Sequence, residues 1–288
     1  DIIDADIKLA ARAIIWDTFR VDGPQLAATI KNKTLTVSKL AGRMFEGAFD
    51  MTGKLVGAGV PTINGKVRID RANVGKALFQ SGNFDIEGGI LNYDMALSAR
   101  GRSEFDMISS LNGDGRVNVR DGIVKGFDLA AVSNRLKNLN RATDILGLFG
   151  SAMGGGATRF STLNGTVQIR NGVVRTKDMK LLADAGEGLA TGFVDLPRWN
   201  MDMIAQFRLT EHPKAPPFGM RVTGRPDNPK RLFKFEQMQA FLLQRGIGSL
   251  LNEVLKRRSK SQPSGQPQQQ QQRTRPEDLI RGLLQGLK

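Results

Sequence analysis

Apolar and polar side chains alternate with a period of two along three stretches of the chain, and polar residues occupy the intervening positions. Alternation of this length is typical of antiparallel strands that have one face in water. Each stretch is therefore predicted to be a strand with its apolar residues on one face. These candidate face residues are Phe45, Phe49, Met51 and Leu55, then Leu91, Tyr93, Met95 and Leu97, and finally Met201, Met203, Phe207 and Leu209.

Six Asn-Gly or Asp-Gly dipeptides mark predicted turns between strands. These residue pairs tolerate the positive φ angles of two-residue hairpin turns. Together with shorter alternating segments, they predict roughly ten to twelve strands. The fold class is predicted as mainly β: a long antiparallel curled sheet that forms a groove, with a few flanking α-helices. The dipeptides begin at Asp22, Asn64, Asn112, Asp121, Asn164 and Asn171.

Helical spacing replaces the alternation in three segments, and this change predicts the organisation of the chain. A sheet domain over 1–235 carries an inserted helix near 128–150. A C-terminal helix over 236–258 is expected to pack on the sheet, and a disordered linker rich in Gln, Pro and Ser follows over 259–276. A short amphipathic helix is predicted over 277–288.

This last helix is too short to be stable alone, so it is expected to dock on the sheet, on a partner or on an anionic membrane surface. Its apolar side carries Leu279, Ile280, Leu283, Leu284 and Leu287.

The chemistry available to the chain is sparse. It has no cysteine, which excludes disulfides and thiolate metal sites, and its one histidine excludes sites that need two imidazoles. That histidine, His212, follows Glu211 in a segment rich in proline, where a solvated loop residue is expected rather than a general base. Glycine clusters lack the spacing of phosphate-binding loops. The chain is therefore predicted not to be an enzyme, with no catalytic residue, metal or cofactor.

Net charge narrows the possible partners. The formal charge is +14, and residues 225–288 hold 13 Lys and Arg against 5 Asp and Glu. Such an excess attracts polyanions, either phospholipid headgroups or nucleic acid. Nucleic-acid binding is not expected, because the aromatic side chains lie among Met and Leu without interleaved basic residues. No run of apolar residues is long enough for a transmembrane helix.

The predicted apolar face must be shielded from water, since each large side chain left exposed costs roughly 1.5–3 kcal/mol. Curling of the sheet, a partner protein or lipid tails could each cover it. A groove filled with acyl chains and an ordinary closed core are both compatible with this pattern.

Strand and turn motifs follow one another in a specific order over residues 1–258. The most recognisable stretch runs from Ser110 to Leu129 and contains Leu-Asn-Gly and then Asp-Gly-Ile-Val-Lys-Gly-Phe-Asp-Leu. Further motifs start at Asp4, Leu26, Met44, Thr158, Gly192 and Val222. In this order they resemble the C-terminal periplasmic region of AsmA-family proteins of Gram-negative bacteria. Asn32-Lys33 departs from the dipeptide common at that turn.

The resemblance implies a non-enzymatic periplasmic protein with an elongated β-groove, of the kind grouped with bridge-like lipid transfer proteins. It implies an anchor in the inner membrane, on an N-terminal segment absent from this chain. The expected function is to bind or conduct phospholipid between the inner and outer membranes and to support outer-membrane assembly. The alternative is a structural or protein-interaction module of the envelope with a closed core and no lipid.

Overall fold

The structure is a computed structural model that describes residues 4–16, 19–76, 86–137, 156–242 and 244. Asp1–Gly246 forms one compact unit, and the second unit, Ile247–Lys288, lies outside the described residues. The predicted linker and last helix, with Leu279, Ile280, Leu283, Leu284 and Leu287, are therefore also outside them.

Fourteen strands form one antiparallel sheet in which nearly every strand pairs with its neighbours in sequence. The sheet is open and weakly curled, and β1 and β14 form its two edges, with β2 pairing beside β1 on β3. The strands are β1 (Ala5–Ala10), β2 (Ala13–Trp16), β3 (Phe19–Lys31), β4 (Thr34–Met44), β5 (Gly47–Val56), β6 (Thr62–Asn73), β7 (Ile86–Arg100), β8 (Asn112–Lys125), β9 (Ala157–Arg170), β10 (Val173–Ala183), β11 (Gly186–Asp195), β12 (Asn200–Leu209), β13 (Phe218–Arg225) and β14 (Asn228–Lys234).

The predicted fold class, a long antiparallel curled sheet, is confirmed, although fourteen strands exceed the predicted ten to twelve. Part of the undercount comes from bulges, which shift the alternation by one residue within a strand. In β4 the pairing with β5 shifts register between Val37 and Leu40, and in β6 the pairing with β7 shifts between Ile69 and Ala72. A strand with such a shift does not display one uninterrupted period of two.

Two helices and two further helical segments, one of them at residues 74–76, accompany the sheet in the described part of the chain. Helix α1 (Glu104–Ser109) was not predicted, although Ser103 and Asp106 form a capping box at its start. Helix α2 (Leu129–Lys137) lies in the segment predicted to be helical, and Asp128 Oδ1 accepts a hydrogen bond of 2.8 Å from the Ala131 amide. Residues 236–242 and 244 are helical, whereas 138–150, 243 and 245–258 lie outside the described residues.

Most of the Asn-Gly and Asp-Gly dipeptides do not form hairpin turns, so that part of the prediction is wrong. Only Asn171-Gly172 connects two strands, and the other five lie inside β3, β6, β8 or β9. Their glycines serve close packing or bulges instead. A Cβ on Gly165, for example, would lie 2.8 Å from Cα of Met179 on the neighbouring strand. The turn at Asn32-Lys33 is a hairpin with positive φ at both residues (48° and 60°).

Phe45 was predicted to share a strand face with Phe49, and this is wrong. Phe45 and Glu46 form the two-residue turn between β4 and β5, each with positive φ. The Phe45 ring packs edge-on against Phe19, with centroids 6.3 Å apart. The alternation continued into the turn by coincidence, because a period of two cannot mark where a strand stops.

Candidate functional site

One face of the sheet carries the alternating apolar side chains, and we call it the inner face. Eleven of the twelve predicted face residues lie on the inner face, on β5, β7 and β12. On these strands the inner-face residues are in general less exposed than the residues that alternate with them. Strand pairing places inner-face residues of successive strands side by side in rows across the sheet. Two of these rows differ in what covers them.

The covered row lies at one end of the inner face and is closed by helices. Phe207 and Phe218, with ring centroids 5.6 Å apart, are 3% and 2% exposed. They belong to a core with Leu129 and Val132 of α2 and Met238 of the helical segment at 236–242. The members of the covered row, in strand order from β7 to β13, are Leu91, Val119, Leu163, Leu181, Gly188, Phe207 and Phe218.

The open row lies four residues further along each strand, about 14 Å from the covered row at the usual rise per residue. Its side chains are half-buried, except that Met95 is 5% exposed. None of them belongs to the helix-covered core of the described residues. The open row comprises Leu40, Met51, Val67, Met95, Gly115 and Val167 on β4 to β9, and Gly192, Met203 and Val222 on β11 to β13.

The twelve predicted residues are thus divided between different environments. Phe207 and Leu209 are part of the packed core, with Leu91 against it, whereas Met51 and Met203 lie on the open row. Phe49 and Met201 are buried at 7% and 3% exposure but are not members of that core, and Leu55, Tyr93 and Leu97 are half-buried inner-face residues.

Sequence reasoning did not single out Val67, Val167 and Val222 as face residues, although all three complete the open row. Val67 and Val222 lie in short alternating segments, which predict strands but not the face of each residue. Their pattern extends over too few residues to mark a face without the pairing of neighbouring strands.

Tyr93 is the single tyrosine of the chain and brings one hydroxyl group to the inner face. Its Oη donates to the thioether sulfur of Met95 at 3.0 Å. Burial, with a smaller contribution from the negative charge of Asp94, raises the pKa of Tyr93 to about 12. The phenol therefore stays neutral at physiological pH and adds no charge to the apolar surface.

The opposite, outer face is mainly polar, apart from exposed apolar residues such as Leu189 and Ile204, and it carries ion pairs between adjacent strands. Arg221 on β13 holds Asp202 on β12 through two hydrogen bonds of 2.9 and 2.5 Å. These bonds keep the pKa of Asp202 below its ordinary value. Similar pairs join Arg170 to Asp114 and Lys180 to Glu187. The outer face is thus suited to contact with water, which the inner face is not.

His212 and Glu211 fasten α2 to the loop after β12. The Nε2 of His212 donates to the Ser133 carbonyl oxygen at 2.9 Å, and Glu211 Oε2 accepts from Ser133 Oγ at 2.9 Å. Lys137 lies 2.7 Å from Glu211, and its hydrogen bond, then that of Ser133, lowers the pKa of Glu211. His212 therefore lies in a loop, as expected, but it is half-buried and bonded to a helix that covers the core rather than simply solvated.

Within the described ranges, no group of three or more His, Asp or Glu side chains could hold a metal ion. None of the helices in the described part of the chain is long and apolar enough to cross a membrane.

Comparison with known proteins gives one match. The model of the AsmA family matches residues 1–179, which extend from β1 into β10. No curated protein and no solved structure matches the chain.

Proposed function

The chain belongs to the AsmA family, and on that premise we propose that it is a non-enzymatic protein of the cell envelope that binds or conducts phospholipid. Membership points to a function related to the envelope. The finer proposal is a periplasmic location, passage of lipid between the inner and outer membranes, and support of outer-membrane assembly. Acyl chains are the proposed ligands of the inner face, and no cofactor or nucleic acid takes part.

The observation that carries this proposal is the open row. Half-buried Leu40, Met51, Val67 and Val167 lie in register from β4 to β9, with buried Met95 beside Gly115 between them. Met203 and Val222 continue the row on β12 and β13, beside Gly192 on β11. The sheet is open at both edges, so no closed wall interrupts the open row along its length. A contiguous apolar surface of this kind is unusual on a protein that functions without an apolar partner.

Acyl chains have the chemistry that this surface requires. Burial of a methylene contributes about 0.8 kcal/mol, so a chain of about sixteen carbons contributes about 12 kcal/mol before the cost of immobilising it. At the usual spacing of strands, the six strands from β4 to β9 span roughly 24 Å. The row is therefore long enough to lie along much of an extended lipid tail.

The outer face and the net charge of the chain support the proposal that lipid tails lie on the inner face while the protein contacts a membrane surface. The ion-paired outer face leaves the inner face as the apolar surface, while the net charge of +14 favours approach to an anionic membrane surface. Lipid tails on one face and headgroups at its rim would satisfy both properties.

The covered row favours a second candidate, an envelope interaction module with a closed core and no lipid. At that end of the inner face Phe127, Phe207 and Phe218 pack in sequence, with ring centroids 5.0 and 5.6 Å apart. Leu129 and Met238 are fully buried there. A protein whose whole inner face closed in this way would have no room for an acyl chain.

Photo-crosslinking from matched positions distinguishes the two candidates. Benzoylphenylalanine replaces either Met203 on the inner face or the next residue, Ile204, on the outer face. The Ile204 side chain is 42% exposed. After irradiation of the protein in its native envelope, intact-mass analysis should find phospholipid adducts at position 203 and not at position 204. Phospholipid adducts are also expected at Val67 on the inner face of β6.

A lack of adducts at 203 and 67 in well-folded protein would contradict the lipid proposal and support the closed module. Equal labelling at 203 and 204 would also contradict it, because contact with lipid would then not depend on the inner face.

A further inference from the structure

A shallow trough of about 690 Å³ lies across β5 to β9, and the polar residues that border it belong to the outer face. Its floor is formed by small residues, with Ala96 and Ser98 on the central strand, β7. Gly65 and Gly113 pair with Leu97 in an inner-face row, so they contribute only backbone to the lining of the trough. The volume lies within the range of small-molecule sites.

Two lysines form one side of the trough without a partner. Lys66 is opposite Ala96, and Lys54 is its diagonal neighbour on β5. In the part of the chain that the structure describes, neither lysine makes an ion pair or a side-chain hydrogen bond. The nearest acidic neighbours on these strands, Asp50 and Asp94, both lie directly opposite Arg68 instead.

The other side of the trough carries a guanidinium that is held in place. Arg170 donates to Asp114 Oδ1 at 2.9 Å and, through Nη1, to the carbonyl oxygens of Gly113 and Ile169 at 2.9 and 2.8 Å. An arginine has five N–H donors, and these three bonds leave two for a ligand. Asn64 and Asn112 add amide groups to the same lining.

From this juxtaposition we propose that the trough binds a phosphate-type oxyanion, either the headgroup of a phospholipid or a free phosphate. Three cations from three strands face one carboxylate, which Arg170 already engages, so the lining keeps a surplus of positive charge. Lysine and arginine are the usual protein donors to phosphate oxygens. The site is on the outer face and does not depend on acyl chains occupying the inner face.

The test compares two variants with the same loss of charge. Lys54→Gln with Lys66→Gln removes the unpaired cations of the trough, whereas Lys8→Gln with Lys230→Gln removes two exposed lysines of the edge strands β1 and β14. Inorganic phosphate is titrated into the full chain at constant ionic strength and followed through the amide signals of Ala96 and Ser98. Thermal unfolding verifies that both variants are folded.

Saturable phosphate binding that is at least about tenfold weaker in the trough variant, and unchanged in the edge variant, is the expected result. Equal binding by the two variants, or no saturable change in the wild type, would overturn the proposal.

A second arm identifies the source of the oxyanion. Vesicles of phosphatidylcholine with phosphatidylglycerol are sedimented with each protein. Loss of vesicle binding in the trough variant alone would support a lipid headgroup. Normal vesicle binding with weakened binding of inorganic phosphate would support free phosphate as the ligand.

Discussion

Met203 and Ile204 are neighbours in β12 whose side chains point to opposite faces, as strand geometry requires. Met203 has Gly192 and Val222 as its cross-strand neighbours, whereas Ile204 has Thr191 and Arg221. Two adjacent residues of similar size therefore test the two faces separately, with the backbone surroundings held nearly constant.

Met203→Glu should lower the amount of co-purified phospholipid strongly, while Ile204→Glu should leave it unchanged. A carboxylate on the open row repels acyl chains, but it still reaches water, so its cost in the free energy of unfolding should be about 1–2 kcal/mol. Ile204→Glu, which faces Arg221, should stay within about 0.5 kcal/mol. Native mass spectrometry and urea unfolding measure the two quantities. If Met203→Glu prevented folding, the open row would be a closed core.

Asp178 illustrates a residue that supports an irregular backbone. Where the pairing of β9 with β10 shifts register, Asp178 Oδ1 accepts from the Thr166 amide at 2.8 Å and from Thr166 Oγ1 at 3.0 Å. The bond from the Thr166 amide is the largest cause of the lowered pKa of Asp178. The carboxylate thus replaces a partner that the interrupted ladder cannot provide.

Asp178→Ala should lower the free energy of unfolding by about 0.5–1 kcal/mol at neutral pH, because the carboxylate is exposed and water weakens its hydrogen bonds. Because the pKa of Asp178 is lower in the folded state, its contribution is complete well above the ordinary value of 3.8. It is lost as the pH falls through the folded-state pKa. The difference from wild type in urea unfolding should therefore shrink in strong acid. Asp184→Ala, in the exposed β10–β11 turn, is the control and should show little effect. A difference that did not vary with pH would contradict this role.

At the scale of elements, glycines within strands allow large side chains to lie over the neighbouring backbone. The ring of Phe160 on β9 covers Gly122 on β8, and an added Cβ there would collide with the ring. Phe160 is 1% exposed, so it has little space into which to move. A Cβ on Gly219 of β13, by contrast, would have its nearest contact at 3.4 Å, from the Ala205 carbonyl oxygen.

Gly122→Ala should lower the free energy of unfolding by about 1–3 kcal/mol through overpacking, whereas Gly219→Ala should be neutral or slightly stabilising. Chemical denaturation of both variants gives the comparison. Equal stability of the two variants would mean that Phe160 can move aside, and that the core beneath α2 is looser than its burial indicates.

At the scale of the whole molecule, stability should be unevenly distributed along the sheet. The helix-covered core draws on residues from Val74 to Leu242, and no residue of β1 to β5 belongs to it. Strands that pair mainly with their sequence neighbours transmit little of this stabilisation to the far end.

Hydrogen exchange should follow this gradient. Amides of β4 and β9 form a matched comparison, because each strand is paired on both sides. After correction for intrinsic rates, the amides of β9 should exchange at least about tenfold more slowly than those of β4. Equal rates would show that the sheet opens as one cooperative unit.

Local pattern was enough to determine the strands with an uninterrupted period of two and the faces of their side chains, since that period is a property of the backbone itself. It therefore identified the antiparallel class, the inner-face residues of β5, β7 and β12, and the Asp128 cap of α2. Tertiary structure decided what depends on distant residues. It set whether a dipeptide such as Asp22-Gly23 forms a turn or a bulge, and it placed α2 over one row and not the other. It also gathered Lys54, Lys66 and Arg170 around one trough. These outcomes follow from the register of paired strands, which no short window of sequence contains.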